Sequence, residues 1–428
     1  MQFVLSFRGS RVKQSPPEFV IGLQCLVCGK GIEYGDVHTC PSCGQDGILD
    51  IQYDYSSAGK RLNAATLKDR QFNHWRYREL IPVSNDAIFP PLQIGWTPVY
   101  DVPRLASVVG IKRLFLKDDG RNPTSSFKDR ASSVGVLKAQ EFGFSTIACA
   151  STGNAASSLA GLSAAVGLRS VIFVPQRAPE PKITQLLVFG ATVVRVHGTY
   201  ERAFDLCREA CKQFGWYDRN SGTNPFLVEG KKTAGLEIGE LFGSTLPEWV
   251  VVSVGDGCTI GGIGKGLREM KELGITSRVP KLLGVQAEGA KPLFESFVSG
   301  RNLVPASTDT IADSIAVGTP RNWRRAIKEI RCSDGTMVAV SDDEILEAMR
   351  VTARLGGVFG EPAGVAGVAG LKKAIAKGLI NRDSSAVVVI TGNGLKDIQS
   401  AKQATGQPID IEPDFCLLET KLKQLKIA

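Results

Sequence analysis

Two pairs of cysteines near the N-terminus form the first pattern with a chemical meaning. Cys25 and Cys28 make one Cys-x-x-Cys pair, and Cys40 and Cys43 make a second. Four thiolates at such spacing bind zinc tetrahedrally and leave no open coordination position, so the pattern predicts structural zinc rather than catalytic zinc. Four free thiols, or a redox pair, are the alternative interpretation.

A lysine follows a loop of small polar residues further along the chain, in the segment Asn122-Pro-Thr-Ser-Ser-Phe-Lys128. The proline and the Ser/Thr cluster are helix-start signals, so Lys128 is predicted to lie in the first turn of a helix. The helix dipole and nearby cations favour a neutral amine there, which covalent chemistry with a carbonyl requires. A lysine in a first turn is more often a solvated surface residue, so this loop alone decides nothing.

Three further loops carry groups that bind anions. Ser151-Thr152-Gly153-Asn154 presents hydroxyls, an amide and helix-start N–H groups that suit a carboxylate, although for this loop alone a simple N-cap is the better explanation. The segment Gly255–Thr259 precedes a glycine-rich helix start, where backbone amides can wrap a phosphate. It lacks the P-loop ending and the dinucleotide-binding spacing. The fourth loop, Thr391-Gly-Asn-Gly394, is another glycine-rich strand exit.

From about residue 97, short β-branched runs alternate with helical segments. Near-continuous apolar strands of this kind predict parallel sheets covered on both faces by helices. Ligands bind at the carboxyl ends of such strands, which is where the four loops lie. Strands are predicted at Arg113–Lys117, Thr146–Ala150, Ser170–Pro175, Thr192–Val196, Trp249–Val254, Lys281–Gln286 and Ala386–Thr391, and an amphipathic helix at Tyr200–Phe214.

Taken together and in this order, the four loops resemble those of the fold type II pyridoxal-phosphate enzymes, the tryptophan-synthase-β class. Within that class the chain resembles the threonine synthases, over roughly residues 95 to 400. The motifs that carry this resemblance are Asn122-Pro-Thr-x-Ser-Phe-Lys-Asp-Arg130, Asn220-Ser221, Glu229-Gly-x-Lys-Thr233, Glu361-Pro-Ala363 and Thr391-Gly-x-Gly-Leu-Lys-Asp397. The resemblance implies a two-domain α/β fold with parallel sheets flanked by helices, preceded here by a small zinc ribbon.

The resemblance also implies roles for individual residues. Lys128 is expected to bind pyridoxal 5′-phosphate covalently and then to shuttle protons, while Asn154 bonds the 3′ oxygen of the cofactor and Thr391 faces its pyridine nitrogen. A neutral threonine makes a weaker electron sink than a carboxylate would. The residues expected to hold the cofactor phosphate are Gly255, Asp256, Gly257, Cys258 and Thr259. Those expected to hold the substrate are Ser151, Thr152, Gly153, Asn220 and Ser221.

The sequence departs from the threonine synthase pattern at several positions. Leu227 and Ala316 stand where arginines that can hold a leaving phosphate are common, and Ser125 replaces a usual glycine. In compensation, Arg121 and Lys117 are hypothesised to bind an anionic substrate tail. The alternative for Arg121 is a solvated loop position.

Three functions remain open on the sequence. The favoured one is a pyridoxal-phosphate-dependent lyase, a threonine synthase that converts O-phosphohomoserine and water to threonine and phosphate. The second is a related amino-acid dehydratase or β/γ-replacement synthase. The third is a zinc-ribbon protein whose core binds a ligand without catalysis, and intact Lys128, Asn154 and Thr391 argue against it.

Composition limits the cellular partners. The chain has 428 residues, 43% apolar and 22% charged, which excludes a disordered or fibrous protein. A net charge of +8 without dense basic blocks makes nucleic acid an unexpected partner, and no apolar run reaches the length of a membrane span. Met1–Phe7 lacks the pattern of a secretory signal. Ten cysteines are too few for a disulfide scaffold, and six of them are scattered, which favours a reducing, cytoplasmic setting. A homodimer is a possible assembly.

The domain organisation follows from these assignments. We expect a zinc-ribbon subdomain at 1–50 and a large cofactor-binding domain formed by 51–131 and 233–410, whose N-terminal part is an arm. A smaller domain at 132–232 is expected to close over the substrate, and 411–428 to form a C-terminal tail.

Overall fold

The computed structural model describes residues 15–178, 180–198 and 200–427. Its first element is a three-stranded antiparallel sheet in the order β2-β1-β3. The strands are β1 (Val20–Cys25), β2 (Gly31–Ile32) and β3 (Leu49–Tyr53). The boundary predicted at residue 50 therefore falls inside β3. Residues 1–14 of the predicted ribbon, including Met1–Phe7, and residue 428 of the predicted tail lie outside the described residues.

The arm that follows is part of the core. It contains α1 (Tyr55–Arg61), α2 (Ala64–Leu67) and a 3₁₀ turn at His74–Leu80, and it leads to β4 (Val99–Asp101), α3 (Pro103–Val109) and β5 (Arg113–Asp118). Tyr77 and Leu80 are fully buried. Arg76 forms an ion pair with Glu240 at 2.6 Å, which fastens the arm to a later helix.

A four-stranded parallel sheet comes next, in the order β8-β7-β6-β9. All of its strands lie within 132–232, and the observed helix at Tyr200–Phe214 has the predicted bounds. The elements are α4 (Lys128–Glu141), β6 (Thr146–Ala150), α5 (Asn154–Val166), β7 (Arg169–Pro175), α6 (Glu180–Val188), β8 (Thr192–Val196), α7 (Tyr200–Phe214), β9 (Tyr217–Asp218) and α8 (Phe226–Phe242).

The largest sheet in the described part of the chain has the order β12-β11-β10-β13-β5-β4 and is parallel except for β4. Its apolar strands are covered by helices on both faces, as predicted. Its remaining elements and those that follow are β10 (Trp249–Ser253), α9 (Cys258–Glu272), β11 (Lys281–Ala287), α10 (Pro292–Ser299), α11 (Trp323–Cys332), β12 (Thr336–Val340), α12 (Asp342–Gly356), α13 (Pro362–Ala376), β13 (Ser385–Ile390), α14 (Ile398–Gln403) and α15 (Phe415–Gln424).

Helix α8 holds α4 and α9 in fixed positions through close glycine contacts. A Cβ atom at Gly230 would lie 3.1 Å from the Ala131 Cα atom of α4, and one at Gly235 would lie 3.0 Å from the Leu267 amide nitrogen of α9. Only glycine permits such close backbone approach. Helix α8 therefore fixes the position of α4, which begins at Lys128, relative to α9, which begins in the Gly255–Thr259 loop.

Within the described residues, no helix combines the length and the apolar character needed to cross a membrane.

Candidate active site

The loop before Lys128 pairs directly with the loop that begins at Thr391. The Phe127 amide donates to the Thr391 carbonyl at 2.9 Å, and the Asn393 amide donates to the Ser125 carbonyl at 3.1 Å. Lys128 then begins α4, as the sequence predicts. The strand exit after β13 and the start of α4 are thus joined at one edge of the large sheet.

Ser125 occupies a backbone conformation that normally belongs to glycine. Its φ is 62°, in the left-handed region that side chains disfavour. This is the position at which the sequence departs from the family's usual glycine. The loop keeps its shape because its backbone bonds to the Thr391–Gly394 segment, so local strain is held at the site by its surroundings.

The Lys128 amine is perturbed toward its neutral form. Burial, Lys231 and Arg219 lower its pKa to about 8. Because about a tenth of the amines are then unprotonated near pH 7, Lys128 is suited to attack an aldehyde.

Asn154 begins α5 and bonds to a carboxyl group whose role the sequence analysis did not assign. Its Nδ2 atom donates to Glu361 Oε1 at 2.6 Å. Burial raises the pKa of Glu361 to about 7, against opposing effects of Lys396 and of the Asn154 hydrogen bond. Glu361 therefore exchanges protons near neutral pH. The sequence feature that could have identified it as a functional residue is its place in the Glu361-Pro-Ala363 motif.

A cavity of about 350 Å³ opens beside these groups. Thr152, Gly153 and Asn154 from the predicted substrate loop line this cavity, together with Glu361 and Lys396. The structure therefore brings the predicted substrate loop and two ionisable groups together around a space large enough for a small molecule. Ser151 supports the loop from outside the cavity, since its Oγ accepts from the Gly153 amide at 3.2 Å.

The glycine loop has the shape of a phosphate cradle. Gly257 has φ 90°, and a Cβ atom there would lie 2.8 Å from the Asn322 carbonyl oxygen, while Asp256 accepts from the Arg321 amide at 2.6 Å. Helix α9 begins immediately afterwards at Cys258, with Thr259 in its first turn, so its free N–H groups point out of the loop.

The predicted substrate segment Asn220–Ser221 lies against this cradle. The Cys258 thiol donates to the Ser221 carbonyl at 3.2 Å. Asn220 is buried, and its Nδ2 atom has no partner in the part of the chain that the structure describes. A buried amide without a partner is costly, which suggests that a ligand accepts from it.

The site as a whole fits pyridoxal phosphate. It offers an amine with a lowered pKa, a glycine cradle for a phosphate and amide donors without partners. Thr391 lies beside the Lys128 loop, because its carbonyl accepts from the Phe127 amide.

Lys117 requires a correction. It was expected to bind a substrate anion, but it is 1% exposed, and its Nζ atom lies 2.6 Å from Glu237 Oε2 and 3.0 Å from Thr97 Oγ1. A lysine that already neutralises a buried carboxylate cannot also bind a substrate.

Arg121 is exposed and does not line the 350 Å³ cavity, so its assignment stays a prediction.

The four N-terminal cysteines come together as predicted. One sulfur atom from each of Cys25, Cys28, Cys40 and Cys43 lies within 4.8 Å of every other. Gly29 and Gly44 follow the pairs with φ of 74° and 60°, which are the tight turns that each pair needs. The geometry is that of a four-thiolate metal site.

Comparison with known proteins decides the family. The model of the pyridoxal-phosphate dependent enzyme family matches residues 91–392. The chain belongs to this family. It is 39% identical over 406 residues to the threonine synthase of Methanocaldococcus jannaschii, covering 94% of this chain and 99% of that protein. It is 41% identical over 400 residues to the threonine synthase of Methanosarcina acetivorans, covering 92% and 96%.

Solved structures of pyridoxal-phosphate enzymes share the fold. The processed threonine deaminase isoform 2 of Solanum lycopersicum superimposes with a TM-score of 0.63 at 20% identity, covering 92% of this chain and 98% of that chain. Maize serine racemase gives 0.62 at 20% identity, covering 77% and 92%. The predicted fold class is therefore confirmed.

The lowered pKa of Lys128 predicts how the apoenzyme takes up its cofactor. Only the neutral amine reacts with an aldehyde, so the rate of covalent uptake should rise with pH and reach half its maximum near pH 8 instead of near the ordinary lysine value of 10.5. Stopped-flow absorbance after mixing apoenzyme with pyridoxal phosphate measures the rate. Lys231→Met, which removes a neighbouring positive charge, should move the midpoint upward. A wild-type midpoint at pH 10 or above would contradict the prediction.

Proposed function

We propose that this protein is a threonine synthase that converts O-phosphohomoserine and water to threonine and phosphate. The observation that carries the proposal is near full-length similarity to threonine synthases, combined with Lys128 standing at the predicted cofactor site with a lowered pKa. The fold alone would fit a deaminase or a racemase equally well.

Different residues are assigned to proton transfer and to substrate binding in this reaction. Bound pyridoxal phosphate withdraws electrons and so makes the carbon-bound protons of the amino acid acidic. Lys128, the residue proposed to bind the cofactor, removes and returns those protons. Thr152, Gly153 and Asn154 hold the substrate carboxylate at the cavity wall, with Ser151 shaping their loop. Asn220 and Ser221 hold the opposite end of the substrate.

Glu361 supplies a second proton carrier. A carboxyl group with a pKa of about 7 both donates and accepts protons at physiological pH. Its bond to Asn154 places it beside the substrate loop, where the reaction needs a proton at the carbon from which phosphate departs.

A direct assay separates this function from the alternative. Phosphate release from O-phosphohomoserine, with threonine as the second product, supports the proposal. A dehydratase would instead release a keto acid from threonine or serine, an alternative that Leu227 and Ala316 keep open. Keto acid release without any phosphate release at high O-phosphohomoserine would discard threonine synthase.

The domain division remains part of the proposal. The sheet β8-β7-β6-β9 and its helices form the smaller unit within 132–232, and this unit contributes the substrate loop. The cofactor groups Lys128, Gly255–Thr259 and Thr391 lie in or at the edge of the larger unit. Closure of the smaller unit over bound substrate would exclude water until the step that consumes it.

We propose that the four cysteines bind one structural zinc ion. Elemental analysis should find about one equivalent per chain, and Cys28→Ser should lower it to near zero and lower the unfolding temperature. Cys416→Ser in the exposed helix α15 is the matched control and should change neither. Metal-free protein that unfolds at the same temperature as the zinc-loaded protein would refute a structural zinc.

A cytoplasmic location and a homodimer also remain proposals. None of the ten cysteines forms a disulfide, which suits a reducing compartment. The exclusion of nucleic acid as a partner stays a prediction from charge distribution, and the favoured partner is a small phosphorylated amino acid.

A further inference from the structure

Two buried cations have no carboxylate partner. Nine lysines and arginines are buried among the described residues, and seven of them form ion pairs with carboxylates. The two exceptions are Lys231 and Arg219, each 1% exposed. The seven paired cations are Lys117, Lys138, Lys232, Lys265, Arg76, Arg130 and Arg325.

These two cations lie together at the active site. Both act electrostatically on the Lys128 amine and on one another. Lys231 interacts with the thiol of Cys258, at the start of α9, and Arg219 immediately precedes the substrate segment. The Arg219 guanidinium is fixed in place, because it donates to Ser221 Oγ at 2.9 Å and to a Ser132 hydroxyl at 2.9 Å.

A buried charge without a counterion lowers the free energy of unfolding by an amount comparable to the whole net stability of a domain. Proteins accept such a cost where a ligand supplies the missing charge. Asp256 near Lys231, and Asp129 and Asp218 near Arg219, do not reach ion-pair distance of either cation in the described structure, and Asp256 accepts from the Arg321 amide instead. Two cations side by side match a dianion.

We infer that Lys231 and Arg219 bind the leaving phosphate of the substrate, an inference that rests on the proposed function. The glycine loop already provides the amides at the start of α9 for the cofactor phosphate. The cation pair lies between this loop and the predicted substrate segment, because Lys231 contacts the Cys258 thiol of the loop and Arg219 donates to Ser221 of the segment. It supplies the positive charge that Leu227 and Ala316 cannot, and Lys231 lies one helical turn after Leu227 in α8.

Inorganic phosphate is the probe that tests this pair. Calorimetric titration is done on the holoenzyme, whose cofactor phosphate already occupies the cradle, so any added phosphate that binds must occupy a second position. Lys231→Met should weaken phosphate binding by about 10- to 100-fold and lower kcat/KM for O-phosphohomoserine by a similar factor. Lys231→Arg keeps the charge and should stay within a few-fold of wild type. Arg219→Met should weaken phosphate binding in the same way.

Lys232 provides a matched control one residue away. It is equally buried but pairs with Glu269 at 3.0 Å and with Glu229 at 2.5 Å. Lys232→Met should lower the unfolding temperature because it leaves the buried Glu269 without an ion-pair partner and Glu229 with Lys265 alone, while the folded protein keeps its phosphate affinity. Lys231→Met should leave the unfolding temperature measured without phosphate unchanged or raise it. Phosphate affinity in Lys231→Met equal to wild type overturns the inference.

A second arm excludes the cofactor phosphate as the ligand. Apoenzyme is titrated with pyridoxal phosphate and with pyridoxal, which lacks the phosphate. If Lys231→Met weakens only pyridoxal phosphate binding and leaves inorganic phosphate binding to holoenzyme intact, the pair serves the cofactor and the inference is wrong. Because phosphate binding needs no turnover, a wild-type enzyme that binds phosphate but ignores O-phosphohomoserine would refute the proposed function and leave the phosphate site standing.

Discussion

Replacing Lys128 by alanine should leave the purified protein without the visible absorbance of bound cofactor and should reduce turnover by about 10⁴-fold. We propose this amine as both the covalent anchor of the cofactor and the base that moves the substrate protons. Burial and two neighbouring cations lower its pKa and so favour the neutral amine that this chemistry requires. Absorbance spectra and phosphate release measure the two effects, and Lys112→Ala, at an exposed position, should leave both unchanged.

Borohydride reduction followed by peptide mapping identifies the lysine that carries the cofactor. In wild type the label should fall on the peptide that contains Lys128. Lys396 is the competitor to watch, because its amine lines the cavity and burial lowers its pKa. A Lys128→Ala protein that keeps its colour and carries the label on Lys396 would remove the basis of the proposed chemistry.

The sequence predicts those parts of the fold that depend on local pattern. The strands Thr146–Ala150 and Thr192–Val196 and the helix Tyr200–Phe214 have the predicted bounds, because β-branched runs and helical periodicity are local signals. Strand β4 was missed because it has three residues and lies half-exposed at a sheet edge. Strand β12 was also missed, and its register depends on a pairing with β11 that no local pattern encodes.

The loops of the candidate site could likewise be predicted from local pattern, whereas their arrangement in space could not. Each loop was recognisable from its composition, yet their meeting at one place depends on contacts over long separations in the chain, such as that between Phe127 and Thr391. Lys231 and Arg219 were missed because a lysine or arginine in a helical or loop segment looks solvent-exposed in sequence. Their significance lies in what they lack, a carboxylate partner, and only the folded structure can show that.

Lys117 was misassigned for a related reason. It lies in the buried strand β5 among apolar residues, and such a lysine needs a nearby carboxylate. Its partner Glu237 is 120 residues away in the sequence. The strand pattern could have indicated a structural ion pair, but it could not name the partner.

That ion pair belongs to a network whose loss should have the largest effect on stability. Glu237 of α8 accepts from Lys117 of β5 at 2.6 Å and from Arg130 Nη2 of α4 at 2.8 Å, and Arg130 also binds Asp119 at 2.6 Å. Burial alone would raise the pKa of Glu237, but Arg130 and Lys117 outweigh it and hold the pKa well below its usual range. The network therefore contributes stability at neutral pH, and this contribution is lost only as the pH falls below the ordinary glutamate pKa of about 4.3.

Glu237→Gln should lower the free energy of unfolding by about 3–5 kcal/mol, because two fully buried cations lose a shared counterion. Urea unfolding at neutral pH measures this, and Glu347→Gln is the control. Glu347 pairs with Arg350 on the surface of α12, so its loss should cost less than about 1 kcal/mol. Equal urea midpoints for the two variants would show that the buried network is not the stabilising feature inferred from its geometry.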